Sequence, residues 1–84
     1  FLRDNIIYPE QEKSLGIEGL VVVSFIVEKD GSISSPKVLK SVSHNIDQEA
    51  IRVVKQMPRW EPGMQGAENV RVSINMPIRF ILAN

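Results

Sequence analysis

The stretch from Val70 to Leu82 alternates almost without fault: Val70, Val72, Ile74, Met76, Ile78, Phe80 and Leu82 fall on one face, Arg71, Ser73, Asn75, Pro77 and Arg79 on the other. A repeat of two is the strand repeat, and no helical period fits it. Read as one strand, the stretch would span roughly 43 Å at about 3.3 Å per residue, longer than most strands. Pro77 has no N–H to donate, which confines the strand to the edge of a sheet. Such an edge presents a row of unpaired N–H and C=O groups, and proteins shorten or cover it unless it has a use. Accepting an extended segment of another protein is such a use. The alternatives are shielding by Phe1 to Ile7 or by a second copy of the chain in a swapped dimer.

The rest of the chain supplies a sheet for that edge to border. Leu20 to Val27 is β-branched and aromatic, with Val21, Val23, Phe25 and Val27 apolar on one face and Leu20, Val22 and Ile26 on the other. It contains no proline, so it reads as the central strand. Asp30-Gly31 signals a hairpin that returns the chain through Ile33 to Val42, and Pro36 makes this return strand the second edge or gives it a bulge. Pro9 at a first helical position, acids in the opening turn and Gly16 at the end predict a short helix, docked by Leu15 and Ile17. Asn45 as N-cap with Gln48 three residues on opens a second helix, whose Ile46, Ala50, Val53, Val54 and Met57 share a face before Pro58. The prolines and glycines from Pro58 to Asn69 predict an irregular loop pinned by Trp60. The expected fold is α+β: a three-stranded antiparallel sheet of order 2-1-3 with two helices, the longer one crossing over one face.

Bulk composition narrows the function classes. At 84 residues, 43% apolar and 24% charged, the chain makes one small domain, which buries only roughly 60–65% of its unfolded surface and has little room for a deep substrate cavity. Ten basic and ten acidic residues leave no net charge, so there is no broad attraction to nucleic acid or anionic lipid. The absence of cysteine removes disulfides, thiolate zinc sites and cysteine nucleophiles together. No apolar run is longer than that from Leu20 to Val23, far below a membrane span. The chain begins at Phe1, as expected of a piece of a longer protein whose targeting segment lies upstream.

Candidate chemistry is sparse. His44 stands in a polar turn with no second histidine or cysteine to share a metal, and Ser24, Ser41, Ser43 and Ser73 lack a nucleophile-elbow setting. Of the acids Glu10, Glu12 and Glu18, which could be proposed as paired carboxylates, Glu10 and Glu12 lie on different sides of the first helix and read as solvated charges near its positive end. Gly63 and Gly66 lack the lysine and the strand-to-helix setting of a phosphate cradle. No catalytic group, metal or cofactor is expected, which leaves the backbone edge as the candidate site.

Taken together, Tyr8-Pro9, Gly16-Ile17-Glu18-Gly19, the Val21/Val23/Phe25/Val27 alternation, Asp30-Gly31 and Trp60-Glu61-Pro62-Gly63 resemble the TonB C-terminal domain family over Tyr8 to Leu82. Met57-Pro58-Arg59-Trp60 and Pro77-Ile78-Arg79-Phe80 look like its Bacteroidetes-type branch. The resemblance divides the chain into an N-terminal extension, residues 1–7, and a TonB-like domain, residues 8–84. It implies a periplasmic domain of an inner-membrane-anchored energy transducer, working with ExbB- and ExbD-like proteins. Its partners would be outer-membrane TonB-dependent transporters, whose TonB box adds as a strand beside the last strand. The implied contacts are Asn5, Ile6, Ile7, Val70, Arg71, Val72, Ser73, Ile74, Asn75 and Met76. The alternative parents are a homo-oligomerising envelope protein and a membrane-embedded sensor peptidase that carries a similar domain. Two positions depart from the family pattern: Glu12 stands where alanine is usual, and Pro36 where many members are hydrophobic.

Overall fold

The structure, a computed structural model, describes residues 5–82. The elements follow in the order α1 (Glu10–Leu15), β1 (Gly19–Val27), β2 (Ile33–Lys40), α2 (His44–Gln56), β3 (Gly63–Gln65), β4 (Glu68–Val70) and β5 (Val72–Phe80). β1 lies between β2 and β5 and is antiparallel to both, so the expected order 2-1-3 holds with β5 as its third member. β3 and β4 pair with each other as a separate hairpin.

The core sits on one side of this sheet. Alternation along β1 buries Val21, Val23, Phe25 and Val27, and Ile78 and Phe80 of β5 join them. α2 lays Ile46, Ala50 and Val54 over this surface at helical spacing. Phe25 is fully buried, which stabilises by about 1.5–3 kcal/mol relative to an exposed ring. Trp60 closes over it edge to face, ring centroids 5.5 Å apart, and so pins the chain after α2 as expected.

The first hairpin closes as a three-residue loop, with Gly31 N–H donating to Glu28 C=O and Glu28 N–H donating to Ser32 C=O. Gly31 is left-handed at φ 86°, as the residue after a type I turn in such loops must be. β2 then keeps to the edge and bulges as well: its register against β1 shifts twice, with Ser35 at φ 52° just before Pro36.

Several expectations are corrected. The last strand is not continuous from Val70 to Leu82: it divides into β4 and β5 at Arg71. β1 ends at Val27 opposite Val72, so the chain before Val72 has lost that partner, and Val70 pairs with Gly63 instead. The stretch from Pro58 to Asn69 is accordingly not all loop, since it holds β3 and most of β4. β2 stops at Lys40 rather than Val42, because Asp47 draws that turn onto α2 by accepting from Val42 N–H at 3.0 Å and from the Ser41 hydroxyl. The N-cap of α2 is Ser43, whose Oγ accepts from Ile46 N–H at 3.2 Å. Asn45 instead reaches α1, donating to Gln11 and Glu12.

Glu12 is not a solvated charge. It is 4% exposed and accepts from Ser43 Oγ at 2.6 Å and Asn45 Nδ2 at 3.2 Å. These bonds tie α1 to the start of α2, and the Ser43 bond is the chief cause holding its carboxyl below the usual range. Leu15 is 66% exposed and does not dock α1. Ile17 does, together with Tyr8, which sits edge to face on Phe80 at 5.5 Å and donates its hydroxyl to Ile17 C=O.

Candidate protein-docking edge

Two strand edges border the sheet, and their backbones differ. β2 carries two register shifts, Pro36, and the exposed cations Lys37 and Lys40, all devices that discourage strand pairing. β5 runs beside β1 through nine residue pairs, Gly19 with Phe80 to Val27 with Val72, without a shift. Among the described residues no strand lies on its other side.

Pro77 sets which groups face outward. It lies opposite Val22 and has no N–H, so an unbroken ladder requires its nitrogen to point away from β1. The two-residue repeat then turns the N–H and C=O of Ser73 and Asn75 outward as well, while Val72, Ile74 and Met76 bond to β1. Ser73 and Asn75 are exposed, and Ile74 and Met76 are half-buried against the core. An added strand would therefore meet free backbone groups in its own plane and an apolar ledge on the core side.

The junction before β5 is fixed by charge. Arg71 Nε donates to Glu28 Oε1 at 2.7 Å and Nη2 to Oε2 at 3.2 Å, and the Ser34 hydroxyl donates to the same carboxylate. The Arg71 bond leads in lowering the Glu28 carboxyl, and Glu28 in turn raises the Arg71 guanidinium. Asn69 Nδ2 donates to Lys29 C=O at 3.1 Å, so the β3–β4 hairpin is held to the tip of β1. Nearby, two bonds from Ser32 and one ion pair with Arg59 lower the Asp30 carboxyl to about 2.

The ten candidate contacts separate into two places. Val72, Ser73, Ile74, Asn75 and Met76 form one half of β5, with Arg71 and Val70 leading into it. Asn5, Ile6 and Ile7 lie elsewhere. Arg52 Nη2 donates to Asn5 C=O at 2.9 Å and Ile7 N–H donates to Glu49 Oε2 at 2.7 Å, while Ile6 lines an open cleft with Tyr8, Arg79, Phe80 and Ile81. That cleft is at the opposite end of β5. Sequence reading did not find the Glu49–Arg52 clasp. Its only signal is an i,i+3 acid–base pair, bonded at 2.6 Å, which does not reveal the segment it holds. Nor did it find β3 and its exposed Met64, since three residues give no periodic signal.

No group of three or more His, Cys, Asp or Glu among the described residues could hold a metal ion. No helix among them is long and apolar enough to cross a membrane. His44 opens α2 and is exposed.

Comparison with known proteins agrees with this geometry. The family model described as Gram-negative bacterial TonB protein C-terminal matches residues 4–82. Protein TonB of Pseudomonas aeruginosa is 34% identical over 67 residues, 80% of this chain and 20% of that protein. Protein TonB of Escherichia coli is 32% identical over 60 residues, 71% of this chain and 25% of that protein. The chain thus spans a quarter or less of these relatives. The solution structure of the Helicobacter pylori TonB C-terminal domain superposes with a TM-score of 0.73 at 26% identity, covering 99% of this chain and 75% of that one. The corresponding Pseudomonas aeruginosa structure gives 0.69 at 29% identity, covering 93% and 79%. With the family match running from residue 4 to residue 82 and the same fold in these structures, the chain belongs to the TonB C-terminal domain family.

Proposed function

We propose that this domain is the periplasmic end of an inner-membrane-anchored, TonB-like energy transducer, and that it grips outer-membrane transporters by accepting their TonB box as a strand beside β5. The observation that carries this reading is the contrast between the two edges: β2 is bulged and charged, whereas β5 is in register and has no further strand beside it among the described residues. Val70 to Met76 would form the docking stretch, with Ser73 and Asn75 supplying the central backbone bonds. Asn5 to Ile7 would reach the box only after leaving the Glu49–Arg52 clasp. ExbB- and ExbD-like proteins would act through the upstream part of the parent protein and couple the proton gradient to the pull.

The energetics suit a grip that is made and released repeatedly. Each added backbone bond contributes about 0.5–1.5 kcal/mol net, and four to six of them, less the cost of ordering the box, give modest affinity. Titration of the 84-residue chain with a synthetic TonB-box peptide, followed by amide NMR, tests the reading. Shifts concentrated at Arg71 to Met76 are expected. A chain that sediments as an obligate dimer and ignores the peptide would overturn it in favour of homo-oligomerisation.

A further inference from the structure

The sheet has a second side that strand addition at the edge does not use. Register pairing places side chains opposite one another on it: Lys40, Val22 and Pro77 in one row, Lys37, Ser24 and Asn75 in the next, with Leu20 beside Arg79 and Ile26 between Ser34 and Ser73. The core, with α2 packed over it, lies on the opposite side. Leu20, Val22 and Ile26 make an apolar strip along β1, half-buried between its borders. One register shift sets Leu39 next to Lys40 on this same side, where it is 54% exposed.

The borders of the strip are cationic. Lys37 and Lys40 flank it on β2 and Arg79 on β5; all three are exposed, and among the described residues none has an ion pair. Of the acids nearby, Glu28 is paired with Arg71 and bonded by Ser34, while Glu18 accepts from the Leu82 N–H at 2.6 Å and leaves a carboxylate at the Leu20 end of the strip. An apolar floor between unpaired cations is complementary to an apolar stripe between carboxylates.

We propose that this face docks an acidic amphipathic helix of a partner protein. From Leu20 to Ile26 the strip runs about 20 Å, which a helix of about 13 residues matches. Its apolar stripe would cover Leu20, Val22 and Ile26, with Asp or Glu on its flanks meeting Lys37 and Lys40 on one side and Arg79 on the other. A second copy of the chain does not fit, because face-to-face pairing sets these cations against their own counterparts. An anionic membrane fits less well: among the described residues three free cations fall short of the usual four to eight, and none of those residues on this face is an aromatic anchor. The face shares Ser73 and Asn75 with the β5 edge, so the two readings are told apart at Lys37 to Lys40 on β2, which a strand added beside β5 does not reach.

The test uses the 84-residue chain, isotope-labelled, and a synthetic helical peptide of about fourteen residues bearing a leucine stripe flanked by glutamates. Amide shifts are expected at Leu20 to Ile26, Lys37 to Lys40 and Asn75 to Arg79. Binding should weaken at least tenfold in Lys37→Glu/Lys40→Glu and severalfold in the neutral Lys37→Gln/Lys40→Gln, with circular dichroism confirming that both are folded. Absence of those shifts, equal binding of a peptide with lysine in place of glutamate, or undiminished affinity in the folded variants would overturn the proposal. So would phosphatidylglycerol vesicles that bind the chain more tightly than the peptide with the same dependence on Lys37 and Lys40, which would assign the face to a membrane surface.

Discussion

Pro77 lies opposite Val22 within a ladder that keeps its register through nine residue pairs. A proline is tolerated there because its nitrogen points to the outer side, and Ser73 and Asn75 share that direction. Ser73→Pro and Asn75→Pro are therefore expected to fold, with melting temperatures within a few degrees of the parent, and to lose binding of the TonB-box peptide in calorimetric titration. Ile74→Pro and Met76→Pro have the opposite parity. Each orphans a carbonyl of β1 at about 1–3 kcal/mol, which lowers Tm by roughly 4 °C or more. Equal thermal damage at all four positions would refute the parity assignment, and full peptide affinity in the folded Ser73 and Asn75 variants would refute edge binding.

The buried carboxylate of Glu12 is the lock between α1 and α2. Glu12→Ala removes an acceptor that both Ser43 Oγ and Asn45 Nδ2 use, and Tm should fall by several degrees. Glu12→Gln keeps one acceptor oxygen and should fall less. Because Ser43 also caps α2 through Ile46 N–H, a double-mutant cycle of Glu12→Ala with Ser43→Ala should be non-additive. Additive losses would mean that the two helix ends are independent.

Residues that could be read in the sequence are those whose environment is set by local periodicity. The buried face of β1, the Asp30-Gly31 reversal, the apolar stripe of α2 and the two prolines marking edge strands all follow from spacing within one element. What escaped depends on contacts between elements. Glu12 occupies a helix position that is solvated until α2 packs against it. The alternation through Arg71 is intact, but a strand persists only where a partner runs beside it, and β1 ends opposite Val72. At the candidate site, the outward parity of Ser73 and Asn75 follows from Pro77, whereas the docking of Asn5 to Ile7 on Glu49 and Arg52 has no signature short of the folded chain.

Acid should weaken the fold in a defined window. Glu12, Glu28, Asp30 and Glu49 all have carboxyls lowered in the folded state, chiefly by hydrogen bonds from Ser43, Arg71, Ser32 and Arg52 respectively. A carboxyl with a lowered folded value contributes stability that is present above its unfolded value and is lost as pH falls through the folded one. Tm should thus be flat from about pH 7 to pH 5 and decline below about pH 4. Asp30, at about 2, should be among the last to titrate by carboxyl NMR. Ser32→Ala should raise its value, because the serine hydroxyl makes the largest single contribution; an unchanged value would contradict this account of the turn.

Gly16 and Gly31 share a left-handed backbone, at φ 69° and 86°, but differ in their surroundings, which makes them a matched pair. A methyl group added at Gly16 meets nothing within 4 Å, so Gly16→Ala carries only the conformational cost of a left-handed alanine, about 1–2 kcal/mol. At Gly31 the added carbon would lie 2.2 Å from the Trp60 carbonyl oxygen. Backbone atoms cannot swing aside as a side chain does, and Trp60 N–H donates to Gly31 C=O at 2.8 Å, so relief of the clash breaks this bond and lifts Trp60 from Phe25. Gly31→Ala should cost on the order of 3 kcal/mol or more. At about 4–8 °C per kcal/mol for a domain of this size, the two variants should differ in Tm by at least roughly 4 °C. Trp60 fluorescence should shift to the red only in Gly31→Ala. Equal melting temperatures with unchanged emission would show that Trp60 is not seated on the turn in this way.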